Sequence, residues 1–250
     1  MMRTTRAASG LVLGIGTLIL ATQGARAEGA INGIVLGTPV AAVVQTIGLP
    51  GSVLSADSGN RFAFPEATAY ADEDGVVRAI DTSTGIIRVD FEGKIKAFPI
   101  GTYSYAQAEA ELANEAEFST ETTRTYVIGP GRELVLIFDA SKKLARVVYG
   151  ERGAVSRLGV IPGEDGTKTV PYKAPKERRA AFPDGTGTRT TIVRVRIDRL
   201  GFVNDVAVLV PSNDVAFDDR ARKQLLSDRF TPATLGGRAI GSTIFRELRH

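Results

Sequence analysis

Two stretches of the chain carry apolar residues at the spacing of an amphipathic helix. In residues 36–48 the apolar positions recur at i, i+3, i+4 and i+7, after a threonine and a proline that suit a helix start. In residues 100–112, Ser104 and Gln107 form a capping-box pattern before a second apolar face. The pattern predicts two short helices of similar length.

Strand-like segments separated by a polar turn follow each predicted helix. They are residues 69–72 and 76–80 after the first helix, and 136–139 and 144–148 after the second. The similar order of elements indicates an internal duplication, and therefore an α+β domain made of two helix-plus-antiparallel-hairpin units. The alternative interpretation is chance similarity between two generic α/β stretches.

The phrase Leu-Gly-Thr-Pro-Val-Ala-Ala-Val-Val that begins at Leu36 resembles the entry helix of a known group of repeats. These are the beta-lactamase-inhibitor-protein-like and SmpA/OmlA-type repeats, and the resemblance concerns residues 31–150. It implies a short helix on a small antiparallel sheet, in a periplasmic binding or assembly module. The chain has no cysteine, so the lipid anchor of the assembly lipoproteins is not implied.

The last part of the chain has the pattern of strand, strand, helix, strand. Apolar residues and arginines alternate over residues 191–197, and a turn with glycine leads to a second strand at 203–210. A Ser-Asn-Asp start predicts a helix that ends near Asp228, and residues 239–248 form the last strand.

Residues 183–250 resemble the C-terminal domain of the TonB energy-transducer family. The matching features are Asp198 and Gly201 in the hairpin turn, Pro211-Ser212, Asp218 and Ala221, the phrase Arg229-Phe230-x-Pro232-Ala233, and Gly237. The resemblance implies a helix packed on a three-stranded antiparallel sheet, whose last strand receives the N-terminal box of an outer-membrane transporter. The family's transducers have an uncleaved anchor and a long proline-rich spacer, and this sequence departs from both.

The predicted partner-binding site is the free edge of the last strand. Unpaired backbone groups on such an edge can bind an extended segment of another chain. The residues that we expect to form the site are Ile240, Ser242, Ile244, Arg246 and Arg238. Arg238, Arg246 and Arg249 would favour an acidic partner peptide. The alternative is that these arginines only protect the edge against aggregation.

The first 27 residues have the pattern of a secretory signal peptide. Arg3 and Arg6 precede an apolar run at residues 11–21, and an Ala-Arg-Ala triplet ends at Ala27. The run is shorter than the roughly 20 residues of a membrane-spanning helix. We therefore expect a periplasmic protein with a mature chain from Glu28. The alternative is an inner-membrane anchor with the remaining chain facing the periplasm.

Composition argues against an enzyme. The chain of 250 residues has no cysteine and one histidine, at its last position, so thiolate sites, His-based triads and multi-His metal sites are not expected. We find no nucleotide-binding or hydrolase motif. The net charge of +3 does not indicate a nucleic-acid partner, because residues 28–150 are acidic and residues 151–250 are basic. No catalytic residue, metal or cofactor is predicted.

The sequence thus predicts a signal peptide (1–27), a duplicated α+β domain (28–150), a linker (151–182) and a small TonB-like domain (183–250). The function expected is that of a non-catalytic interaction module with protein partners in the cell envelope, such as the peptide of an outer-membrane transporter. Two alternatives stay open. They are a membrane-anchored energy transducer for outer-membrane transport, and an inhibitor or assembly factor that acts through residues 28–150.

Overall fold

The computed structural model describes residues 30–56, 59–91, 94–112, 116–129, 131–154, 172–178 and 187–249. Of these residues, 54% lie in strands and 16% in helices. The fold is therefore predominantly β. The predicted signal peptide lies outside the described residues, as does most of the predicted linker.

The described residues form three helices, which are α1 Val40–Ile47, α2 Tyr105–Leu112 and α3 Val215–Ser227. None of these helices is long and apolar enough to cross a membrane. The strands are β1 Ala30–Ile31, β2 Ile34–Val35, β3 Ser52–Ala56, β4 Gly59–Ala63, β5 Thr68–Ala71, β6 Val77–Thr82, β7 Ile86–Phe91, β8 Lys94–Pro99, β9 Ala116–Ser119, β10 Thr123–Ile128, β11 Arg132–Phe138, β12 Leu144–Glu151, β13 Tyr172–Lys173, β14 Lys176–Glu177, β15 Thr190–Ile197, β16 Val203–Val210, β17 Phe230–Thr231, β18 Ala233–Leu235, β19 Arg238–Ile240 and β20 Ser242–Arg249.

The largest element is one antiparallel sheet of eight strands, in the order β3-β4-β5-β6-β12-β11-β10-β9. Each half is a four-stranded meander that follows a helix, β3 to β6 after α1 and β9 to β12 after α2. The last strands of the two meanders pair antiparallel at the centre, with Tyr149 opposite Ile80. The two halves are thus joined into one continuous sheet.

The two halves repeat the same local contacts. In the first, Asp72 accepts hydrogen bonds from the backbone N–H groups of Asp74 and Val76 at 3.0 and 2.9 Å. In the second, Asp139 accepts the corresponding bonds from Ser141 and Lys143, both at 2.9 Å. An isolated bridge also connects the segment before each helix to each turn. This repetition is what an internal duplication would produce.

The main core lies on the face of the large sheet that α1, α2 and the β7–β8 hairpin cover. Each of these elements contributes buried apolar side chains to one cluster, for example Val43 from α1, Leu112 from α2 and Phe98 from β8. The start of α2 has the predicted capping box, because Ser104 N–H donates to Gln107 Oε1 at 2.8 Å and Gln107 N–H donates to Ser104 Oγ at 3.2 Å.

The C-terminal part contains a second antiparallel sheet, in the order β16-β15-β20. One face of this sheet packs against α3, whose buried residues Phe217, Ala221 and Leu225 share a cluster with Ile244 and Leu248 of β20. Asp214 caps α3 by accepting a hydrogen bond from Phe217 N–H at 3.0 Å.

The other face of the second sheet packs into the main core. Phe245 of β20 is 2% exposed and contacts the ring of Phe62 edge to face, with ring centroids 5.2 Å apart. Ile192 of β15 belongs to the same buried cluster. At the rim, Arg196 Nη2 lies 3.0 Å from Asp74 Oδ1, in the turn between β5 and β6. The acidic turn between β5 and β6 and the basic strand β15 therefore add an ion pair to the contact between the two sheets.

The predicted fold class is wrong in two respects. The N-terminal part is not a pair of helix-plus-hairpin units, because four strands per half join into one eight-stranded sheet in a mostly β protein. The C-terminal part is not a small separate TonB-like domain, because Phe245 and Ile192 continue its sheet into the main core. Local periodicity identifies single helices and hairpins but carries no information on pairing between β6 and β12.

Because Phe245 packs where the two sheets meet, we expect Phe245→Ala to reduce the stability of the folded protein strongly. Removal of a buried phenylalanine side chain leaves a cavity and is expected to lower the free energy of unfolding by about 3–5 kcal/mol. Phe118→Ala is the matched control, because Phe118 is 39% exposed on β9 at the far edge of the large sheet. Urea unfolding monitored by circular dichroism measures both. A loss below about 1 kcal/mol in Phe245→Ala would contradict a shared core.

Candidate functional site

A groove of about 860 Å³ lies between the edge strands of the two sheets. Strand β3 is the first strand of the eight-stranded sheet, and β20 is a terminal strand of the three-stranded sheet. The groove is lined by Gly51 just before β3, by Ser52, Val53 and Ser55 along β3, by Pro175 and Glu177 before and in β14, by Phe230, and by Ile244, Phe245, Arg246, Glu247 and Arg249 along β20. Two sheet edges thus face one cavity.

One hydrogen bond connects the two edges directly. The backbone N–H of Phe245 donates to Ser55 Oγ at 2.9 Å, and Ser55 Oγ donates to Asn60 Oδ1 at 2.6 Å. Phe245 N–H therefore points away from β15. Because the hydrogen-bonding direction alternates along an antiparallel strand, the N–H and C=O groups of Glu247 point the same way, towards the groove. The strand edge thus presents backbone groups of Glu247 to the groove.

The charged side chains along β20 are paired within the chain. Arg246 Nη1 lies 2.8 Å from Glu177 Oε1, and both side chains are less than one-quarter exposed. Arg249 Nη2 lies 2.8 Å from Glu247 Oε1. These two pairs leave the lining of the groove without net charge.

Behind Arg246 and Glu177 lies a buried carboxyl group, that of Asp228. This residue is 2% exposed, at the C-terminal cap of α3. Neither of its carboxyl oxygens accepts a hydrogen bond from an N–H or hydroxyl group of the described residues. Burial first, and then the negative charge of Glu177, raise the pKa of Asp228 from 3.8 to about 6, against the opposing effect of Arg246. A hydrogen bond between the carboxyl groups of Asp228 and Glu177 raises this pKa further.

The structure places three of the five sequence-predicted site residues on one strand. Ser242, Ile244 and Arg246 alternate along β20, and Ile244 packs on the α3 side. The predicted strand over residues 239–248 is interrupted at Gly241, so Arg238 and Ile240 belong to β19, which pairs with β18. The site prediction itself stays a prediction.

Sequence reasoning missed the residues that form the other walls of the groove. Ser55 and Gly51 lie on or before a short strand with weak alternation, and nothing in the local pattern marks them. Glu177 lies in the predicted linker, yet β14 pairs with β17. Asp228 carries a usable signal, because an acid at a helix C-terminus opposes the helix dipole.

The other acidic cluster, in the turn after β5, has a structural role. Asp72 is bonded to Arg78 Nε at 2.8 Å, and Asp74 contacts the arginines of β15. Within the part of the chain that the structure describes, no group of three or more His, Asp or Glu side chains is placed to hold a metal ion.

Comparison with known proteins adds little to this geometry. No family model and no curated protein matches the chain. Among solved structures, a DUF4309 family protein (YjgB) from Bacillus subtilis matches with 13% identity and a TM-score of 0.37, over 50% of this chain and 88% of that one. A similarity of this size establishes neither a common fold nor a common function.

The environment of Asp228 predicts that stability falls as pH rises. Because its pKa in the folded protein exceeds its ordinary value, the folded state binds the proton more tightly. The resulting stabilisation is complete below about pH 4 and is lost as pH rises through about 6. Above this pH the buried carboxyl group is ionised, which destabilises the folded state. Asp228→Asn removes the buried charge, and should raise the free energy of unfolding at pH 7.5 by up to about 3 kcal/mol.

Urea unfolding of both proteins between pH 4 and pH 7.5 measures the difference. It should vanish near pH 4 and grow towards pH 7. Asp219→Asn is the control, since Asp219 is an exposed acid on the same helix. A pH-independent difference for Asp228→Asn would contradict the account.

Proposed function

We propose that this protein is a non-catalytic binding module of the cell envelope that captures an extended peptide. The peptide is added as a strand to the free edge of β20, inside the groove between the two sheets. The observation that carries the proposal is that Phe245 N–H points away from β15, to Ser55 Oγ, on a strand whose other edge pairs with β15 over its whole length. Alternation along the strand then directs the N–H and C=O groups of Glu247 into the groove.

The physical basis is the need of strand-edge groups for partners. Main-chain hydrogen bonds to an added strand supply affinity, and alternate side chains supply specificity. The neighbouring strand β3 protects the edge of β20 from unrestricted aggregation, because the two edges face the same groove.

Features of the sequence support the proposed location and partner. The leader pattern of residues 1–27 supports export to the periplasm. The resemblance of residues 183–250 to the TonB family supports outer-membrane transporters as the source of the peptide. N-terminal mass spectrometry of the exported protein tests the location, and a chain that begins at Glu28 is the expected result. A retained Met1 would favour the anchored alternative.

A proline substitution on the edge tests strand addition. Glu247→Pro removes the N–H group that points into the groove and keeps the hydrogen bonds to β15, which come from the neighbouring residues. Glu247→Ala is the matched control, since it removes the same side chain and keeps the N–H group. Binding is measured by fluorescence anisotropy with N-terminal peptides of the outer-membrane transporters encoded in the same genome.

We expect Glu247→Pro to weaken peptide binding at least about tenfold, and Glu247→Ala to change it less than about threefold. Circular dichroism checks that both variants are folded. Equal binding by the two variants would contradict strand addition at β20. An absence of binding by every peptide to the wild-type protein would contradict the choice of partner.

A further inference from the structure

The turn between β15 and β16 exposes two large apolar side chains. Leu200 at the tip of this turn is 69% exposed, and Phe202, which follows it, is 43% exposed. Turns usually carry glycine, asparagine, aspartate or serine at such positions, because these residues favour the turn conformation. A leucine that remains in water gives the fold no hydrophobic stabilisation. Neighbouring exposed apolar groups are therefore candidates for a contact surface.

The turn is held rigidly against the rest of the C-terminal part. The carboxylate of Asp198 accepts hydrogen bonds from the N–H groups of Leu200 and Phe202, at 2.8 and 3.0 Å. Phe230 N–H donates to the carbonyl of Gly201 at 2.9 Å, and a side chain at Gly201 would collide with the carbonyl group of Phe230. The turn is thus preformed, so that it loses little conformational freedom when it binds.

Three arginines lie next to these apolar side chains. Arg199 precedes Leu200 in the turn and is exposed. Arg229, also exposed, forms a bridge with Phe202, and its guanidinium group stacks over the Phe202 ring at 4.1 Å. Arg178 lies beside Arg229, because its N–H group donates to the Arg229 carbonyl at 2.9 Å. None of the three forms an ion pair with a carboxylate of the described residues.

The last turn of α3, which leads into Arg229, has a similar composition. Leu226 on this turn is 39% exposed. Arg222 and Lys223 precede it by four and three residues, so they are its neighbours on the helix surface, and both are exposed. Exposed apolar groups bordered by cations thus occur on both segments that meet at Arg229.

We propose that this surface binds a membrane that contains anionic phospholipids. Leu200 and Phe202 enter the interface between headgroups and acyl chains, and the arginines contact the lipid phosphates. Charge attraction and apolar burial then act together, and both features of the surface are used. A nucleic acid fits less well, because Leu200 cannot stack on a base and Arg229 already covers the Phe202 ring.

The membrane site is separate from the peptide groove. Ile197, which precedes the turn, pairs with Ser242 at the start of β20. The groove instead follows β20 from Ile244 to Arg249, and its lining does not include Leu200. The inference therefore goes beyond peptide capture and does not depend on it.

Tryptophan fluorescence tests the proposal, because the chain has no tryptophan of its own. Leu200→Trp places a probe at the tip of the turn. Val215→Trp is the matched control, since Val215 is an apolar residue with 76% exposure at the other end of α3. Both are made in the chain from Glu28, because the apolar run of residues 11–21 would itself bind vesicles. The probes are vesicles of phosphatidylethanolamine with about 30% phosphatidylglycerol, and neutral vesicles of phosphatidylcholine.

We expect the emission of Leu200→Trp to shift to shorter wavelength with the anionic vesicles only, and that of Val215→Trp to stay unchanged. In co-sedimentation, Leu200→Ser should weaken binding to anionic vesicles about tenfold. The double variant Arg178→Gln/Arg199→Gln should weaken it about tenfold or more. Arg88→Gln is the control for charge, since Arg88 is an exposed arginine on β7, and it should change binding less than about threefold.

The outcomes that would overturn the membrane site are distinct. They are equal binding to anionic and neutral vesicles, an equal shift in the two tryptophan variants, or equal effects of the double variant and Arg88→Gln. Binding of a single-stranded oligonucleotide without binding of any vesicle would also overturn it, and would assign the surface to nucleic acid. None of these outcomes bears on strand addition, which Glu247→Pro tests separately.

Discussion

The arrangement of the two sheets depends on β20, because the two faces of this strand are buried in different cores. Its side chains alternate between two cores, with Ile244 and Leu248 under α3 and Phe245 against Phe62 in the large sheet. A slip by one residue would move each side chain of β20 into the opposite core, where it would not fit the packing. Its position is thereby fixed relative to both sheets. Only its backbone edge is left to interact with something else.

This constraint explains why a groove can exist between two sheet edges. If β20 packed on one sheet alone, the β3 and β20 edges could approach until they paired and closed the gap. Phe245 holds β20 against the face of the large sheet, and its N–H group donates a hydrogen bond across the two edges to Ser55 Oγ. The packing that stabilises the protein also keeps an edge available.

The sequence predicted local elements better than their assembly. The helices at Val40 and Tyr105, the capping box at Ser104 and the hairpin into β16 follow from short-range periodicity and turn chemistry, and the structure contains them. Strand β7 has a clear period-two pattern, in which Ile87, Val89 and Phe91 are buried, and could have been identified. The pairing of β6 with β12 could not, because it joins residues far apart in the chain. Contacts between residues far apart in the chain also form the groove, and they place Ser55 and Glu177 in its walls.

The most direct test of this account is amide hydrogen exchange along β20 in the free protein, followed residue by residue by NMR. The account predicts alternation, with slow exchange at Arg246 and Leu248, which pair with β15, and fast exchange at Glu247, which faces the groove. Addition of a bound peptide should then slow Glu247 selectively. Slow exchange at Glu247 in the free protein would contradict the central claim, since the edge would already be occupied.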